Sequence, residues 1–193
     1  MTSIEAFHLH SSSEQWPNCV TSRYHFTGSI DIDTARQAWA HCLGRQKPAA
    51  WEVKQSGRPK WNVDTREGRL KELADSSFHD VLIDQWPEHE SELKLPNVNQ
   101  RGLPQVNSAT QAGFGLWCIR AKENDRAILI FAADHALADG AAAIGFVREW
   151  MLAYHNLVTG NDIERGLTKL DWERWKRRSH LGLMSWSLSL IHI

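Results

Sequence analysis

The sequence predicts an α/β two-layer sandwich: a mixed, mostly antiparallel sheet with helices packed on one face. Three observations predict it. Residues 112–122 and 126–133 are two strand-length runs joined by Glu123-Asn124-Asp125, which makes a tight antiparallel hairpin. Ala127 to Ala133 is apolar at every position, so that strand is central and covered on both sides. Residues 31–43 and 141–158 carry apolar residues at helical spacing, giving each a face to bury against a sheet.

The bulk properties fit one soluble domain. The chain has 193 residues, 42% hydrophobic and 23% charged, enough for one core. Lys+Arg 22 against Asp+Glu 23 leaves a net charge of -1. That balance argues against a nucleic-acid partner, which calls for a basic excess or stripe. The one basic cluster, Arg174, Lys176, Arg177 and Arg178, reads as a solvated helix face. Cys19, Cys42 and Cys118 are odd in number and widely spaced. They form neither a metal pattern nor a disulfide framework, so a reducing, cytoplasmic setting is expected. The N-terminus lacks a basic-then-apolar leader. No apolar run approaches the roughly 20 residues of a membrane span. Ten tryptophans, without a fixed period, read mainly as core and groove-lining residues.

Taken in order, residues 5–10 read as a short strand with His8 and His10 on one face. Such a pair is an exposed strand face or, with a third ligand, a metal site. Residues 22–30 read as a strand ending at Gly28. Asp31 to Thr34 supplies a helix cap, and Ala35, Ala38, Trp39, Cys42 and Leu43 form one apolar face. Gly44 is the stop signal. Residues 48–55 and 60–63 form a hairpin around a turn at Ser56-Gly57-Arg58-Pro59. Residues 66–74 read as a short helix and 81–86 as a strand. Residues 87–109 are polar, with Pro96 and Pro104. They read as a long surface loop, or as a mobile cover over a site. In the last helix, Ile144, Val147, Met151, Tyr154 and Val158 make the core-facing stripe, and Gly160 closes it. Residues 161–180 are charged and partly helical.

Chemistry concentrates between the last strand and the last helix, in Asp134-His135-Ala136-Leu137-Ala138-Asp139-Gly140. A strand end holds side chains rigidly while the turn exposes them. A neutral imidazole with a pKa near 6.5 can take a proton from a hydroxyl, amine or thiol. Asp139 would hold the loop or the ring, and Gly140 would let the chain turn sharply into the helix. The first helical N–H groups would favour an anion. No nucleophile elbow is present, which points to direct general-base catalysis. The local string also fits a hydrogen-bonded His135–Asp139 pair without catalysis, or two metal ligands at i, i+4.

The D-H-A-L-A-D-G string followed by a long aromatic-bearing helix resembles the HHxxxDG motif of the chloramphenicol-acetyltransferase-like superfamily. That superfamily includes peptide-synthetase condensation domains, wax-ester-synthase-like enzymes and BAHD-type acyltransferases. F-T-G-S-I-D-I-D-T-A-R-Q-A-W is similar to its first strand and helix. The resemblance covers about residues 22–160. It implies an acyltransferase of the condensation type, with His135 as the general base and Asp139, Gly140 and Asp134 as structural motif positions. It implies no permanently bound cofactor and no metal. An acyl-coenzyme A or a phosphopantetheinyl-carrier thioester is the implied co-substrate, a small-molecule alcohol or amine the acceptor, and a carrier protein a possible partner.

The chain departs from the family in three ways. Asp134 stands at the usual first histidine, where an acid beside His135 would raise its pKa. Trp51 stands at a usual arginine, leaving Arg23 and Arg120 as arginine partners for Asp139. Family members are also about double this length, in two subdomains, and the second half's D-F-G-W-G-like motif is absent. Residues 1–180 are therefore expected to form the N-terminal subdomain, lacking its C-terminal partner and inactive alone. The apolar tail 181–193 is expected to be a truncation or read-through artefact, the other reading being a natural amphipathic tail. The rival to an enzyme is a non-catalytic half-domain or interaction module.

Overall fold

In a computed structural model of the chain, residues 3–46, 51–54, 60–63, 67–106, 108, 112–122 and 124–169 are described. The elements are α1 (Ser3–Ser11), β1 (Cys19–Thr27), α2 (Ile32–Arg45), β2 (Trp51–Lys54), β3 (Lys60–Val63), α3 (Glu67–Ser77), β4 (Phe78–Ile83), β5 (Phe114–Ala121), β6 (Asn124–Asp134) and α4 (Gly140–Val158). The main sheet has four strands in the order β1-β6-β5-β4. β6 pairs antiparallel with β1 and β5, while β4 joins β5 in parallel. The sheet is thus mixed and mostly antiparallel, as expected. β2 and β3 form the expected antiparallel hairpin, but its turn, Ser56 to Pro59, lies outside the described residues.

The helical layer follows from residue spacing. Asp31 caps α2 by accepting the Thr34 N–H at 2.7 Å, and hydrogen bonding from the Thr34 side chain first and its N–H second lowers the pKa of the Asp31 carboxyl. Ala35, Ala38, Trp39, Cys42 and Leu43 are all buried, as the spacing predicts. Trp39 meets Phe131 of β6 and Phe146 of α4 edge-on, and its Nε1 donates to Ser77 Oγ at 3.0 Å. Arg45, on the last turn of α2, reaches Glu149 of α4 at 3.3 Å. Gly44 does not stop α2, which continues to Arg45 and is capped by Gln46. At Gly44 the tertiary contacts of the last turn override the local signal.

Three sequence expectations are corrected. Residues 5–10 are helical, within α1, not a strand. Glu5 is buried and Phe7 is 66% exposed, so alternation was no guide to a sheet face. In α4 the buried residues are Ala143, Phe146, Val147, Trp150, Ala153 and Asn156, whereas Ile144 and Val158 are 61% and 57% exposed. Phe146 stacks on Phe131 and Phe114, and Trp150 Nε1 donates to Ala35 O at 3.2 Å, so these two rings set the helix rotation. Gly160, at φ 70°, closes α4 as expected. Its N–H reaches Leu157 O at 3.1 Å, and the Asn161 N–H reaches Asn156 O at 2.8 Å, the Schellman pattern.

The third correction concerns the polar loop. The stretch from Trp86 to Val106 is packed over the second face of the sheet. Trp86, Leu93, Leu95 and Val106 meet Trp117, Ile119, Ile128 and Ile130, and Trp117 Nε1 donates to Pro96 O at 2.8 Å. A strand pair apolar on both faces needs cover on both, and here a loop supplies what a second helical layer would. Residues 161–169 are irregular, with a turn at 163–166. The basic cluster at 174–178 and the tail 181–193 lie outside the described residues.

Candidate functional site

The site grows from the end of the central strand. β6 has neighbours on both sides as far as Asp134, which stands opposite Cys19 of β1, and the Asp134 N–H donates to Gly113 O at 2.8 Å. The chain then turns, with the Leu137 and Ala138 N–H groups donating to Asp134 O at 2.9 and 3.1 Å. Ala136, Leu137 and Ala138 are buried at 4%, 6% and 7% exposure. These three anchor the loop, and His135, half-buried, is the side chain it presents.

Asp134 is fully engaged as structure. Its Oδ2 accepts the Ser108 N–H at 2.8 Å and the Ser108 hydroxyl at 2.6 Å, and its Oδ1 accepts the Ala136 N–H at 2.9 Å. The side chain is 1% exposed. A buried carboxylate is tolerated when several N–H and O–H donors surround it. None of these three donors belongs to the His135 ring.

Asp139 is the N-cap of α4. Its Oδ1 accepts the Ala142 N–H at 2.8 Å, and its carbonyl accepts the Ala143 N–H at 2.9 Å. Two of the first helical N–H groups, those of Ala142 and Ala143, are thus taken up by Asp139. The two arginines expected as its partners are engaged elsewhere. Arg23 pairs with Glu90, and Arg120 makes a two-point pair with Asp80 at 2.9 and 2.8 Å. Gly140 opens α4 without a left-handed φ, and a Cβ there would meet nothing within 4 Å. The sharp turn expected of it is absent, because the Asp134–Ala138 turn has already redirected the chain.

His135 has one neighbour that sequence reasoning missed. The His8 ring of α1 lies parallel to it, with centroids 4.1 Å apart and planes 2° from parallel. The His135 N–H donates to Asn18 O at 3.0 Å, while Asn18 Nδ2 lies 3.0 Å from His8 Nδ1. His8 sits below the ordinary histidine pKa, pushed down first by burial and then by the His135 charge, with Asp134 opposing. Because α1 is a helix, His8 and His10 are about 200° apart around its axis and do not share a face. Among the described residues, no three His, Cys, Asp or Glu side chains are placed to hold a metal ion.

A cavity of about 150 Å³ opens at the β4 and β5 positions of this same sheet end, lined by Ser76, Ser77, His79, Asn97, Gln105 and Gly115 among others. His79 packs on Trp117, and burial, helped by Arg36, lowers its pKa. All three cysteines are free. Burial pushes the Cys42 and Cys118 thiols up to about 12, so neither is a nucleophile at neutral pH.

The fold as a whole can be set beside solved structures. The X-domain from teicoplanin biosynthesis, also seen in a complex with OxyB, matches over 92% of this chain and 37% of its own, at 14% identity and a TM-score of 0.66. The chain has a condensation-type fold. The first condensation domain of the calcium-dependent antibiotic synthetase, in complex with a substrate analogue, matches over 94% of this chain and 43% of its own (12% identity, TM-score 0.64). A condensation domain structure bearing on chain release from the enacyloxin polyketide synthase matches over 93% and 34% (13% identity, TM-score 0.61). The chain therefore spans about a third of the length of the solved chains it matches first. No protein-family profile and no curated protein sequence matches. Among the described residues, no helix is long and apolar enough to cross a membrane.

Proposed function

We propose that this chain is the base-bearing portion of a condensation-type acyltransferase. His135 takes a proton from an acceptor hydroxyl or amine. The freed oxygen or nitrogen attacks the carbonyl of an acyl thioester on coenzyme A or on a carrier protein's phosphopantetheine arm. The carbon–sulfur bond breaks, and the thiolate leaves with the proton returned by the imidazole. One observation carries this reading. The loop is anchored by three buried residues and a saturated carboxylate, and the side chain it presents from a central strand is an imidazole. Rigid presentation of an imidazole, which can accept a proton at a ring nitrogen, is what general-base catalysis requires.

The activity belongs to a longer assembly. One sheet and its helices give one wall, and thioester chemistry needs a closed site that excludes water. The test is release of free thiol from acyl-coenzyme A or acyl-carrier protein, with the remainder of a condensation-type domain supplied as a second polypeptide. Turnover is expected with the second polypeptide and not without it. His135→Ala is expected to lower it by roughly 10²–10⁴-fold, and a wild-type rate in that variant would sink the assignment. A second reading, a protein-docking module, is favoured by the X-domain being seen in complex with OxyB. Under it, no second polypeptide elicits turnover.

A further inference from the structure

We infer that His8 is a positioning residue for His135: α1 lays an imidazole flat on the His135 ring and fixes where that ring presents its nitrogens. This rests on the reading of His135 as the base. At a centroid separation of 4.1 Å and 2° between planes, the His135 ring cannot swing toward α1, so one side of its rotamer range is closed. Among the described residues, no hydrogen bond is made to a His135 ring nitrogen, and the stack is what holds the ring.

His8 is itself held by Asn18. The two hydrogens of the Asn18 side-chain NH₂ serve Ser11 Oγ at 2.7 Å and His8 Nδ1 at 3.0 Å, with His8 O at 3.3 Å only sharing one of them. An amide NH₂ only donates, so His8 Nδ1 accepts and the neutral ring carries its proton on Nε2. The Asn18 carbonyl also accepts the His135 N–H at 3.0 Å. One residue therefore ties the ring of His8 to the backbone of His135. The N-terminal helix thus becomes part of the site, although well over a hundred residues separate it from the loop.

The clamp depends on charge. The titratable groups around His8 are His135 across the stack, Asp134 at the end of β6, and Glu5 one turn earlier on α1. A proton on His8 Nδ1 would point an N–H at the Asn18 NH₂, and a doubly protonated stack repels itself. His8 in the fold lies below its ordinary 6.5. The clamp is intact above about 6.5 and weakens as pH falls through the lower, folded value.

The test is NMR of the 193-residue chain with isotope-labelled histidine rings. A ring-to-ring NOE between His8 and His135 is expected, with a His135 ring proton moved upfield by the His8 ring current. His8→Ala should remove that displacement and leave the amide spectrum of residues 114–134 unchanged. His8→Phe should keep it, because a phenyl ring rebuilds the stack. Asn18→Ala, which alters neither ring, should weaken it and covers the case of a His8 variant that fails to fold. The His8 titration midpoint should lie below 6.5 and rise toward it in His135→Ala. Identical His135 ring spectra in wild type and His8→Ala would overturn the inference. These signals do not depend on turnover, so loss of the clamp and failure of the acyl-transfer reading are distinguishable. In the two-polypeptide assay, His8→Ala should lower kcat by roughly tenfold or more with KM nearly unchanged, and His8→Phe should restore it. An unchanged kcat in His8→Ala would equally refute a positioning role.

Discussion

Asp134 shows how one side chain can depart from a motif and keep its loop. A carboxylate at this position accepts three donors from Ser108 and Ala136, and an imidazole cannot accept all three. Asp134→His, which restores the usual motif residue, is therefore expected to lose about 2 kcal/mol or more of stability, read as a lower denaturant midpoint. Gly115 carries a similar constraint. A Cβ there would lie 2.7 Å from the buried Trp117 ring, so Gly115→Ala should cost about 1–3 kcal/mol in the same measurement. Gly140→Ala should be nearly neutral for folding, since nothing lies within 4 Å of its Cβ position. His135 and Asp139 were legible as a site candidate because they sit together in the chain at a strand-helix junction. His8 was not, because a contact between positions 8 and 135 leaves no local pattern, and two of Asp134's three donors come from the distant Ser108.

At the scale of elements, α2 and the β5–β6 hairpin were legible because each has a single period. Ala35, Ala38, Trp39, Cys42 and Leu43 share one side of a helix, and β6 is apolar from Ala127 to Ala133. α4 is apolar on more than one side, so two stripes fit its sequence, and the packing of Phe146 and Trp150 decides between them. Phe146→Ala should cost about 3–5 kcal/mol, whereas Ile144→Ser should change stability by less than about 0.5 kcal/mol. Equal losses at both positions would restore the stripe through Ile144. α1 was misread because six residues are too few to separate a period of two from a period of 3.6. The packed loop was misread because its polar composition hides the spaced anchors Trp86, Leu93, Leu95 and Val106.

At the scale of the molecule, the fold places His135 at one end of a four-stranded sheet and covers both faces of that sheet with other elements. Helices α2 and α4 cover one face, and the 86–106 loop covers the other. The mixed sheet was predictable from strand count and hairpin chemistry. The chain spans about a third of the length of the solved chains it matches first. Under the proposed function, His135 does the chemistry while Asp139 only holds the loop. The most direct test compares free-thiol release by His135→Ala and Asp139→Ala, each with the second polypeptide, at a temperature where both stay folded. Asp139→Ala should lose about 1 kcal/mol of stability as a missing N-cap and keep a rate within a few-fold of wild type. His135→Ala should keep its stability and lose roughly 10²-fold or more of the rate. A His135→Ala rate equal to wild type, or an equal collapse in both variants, would contradict the claim.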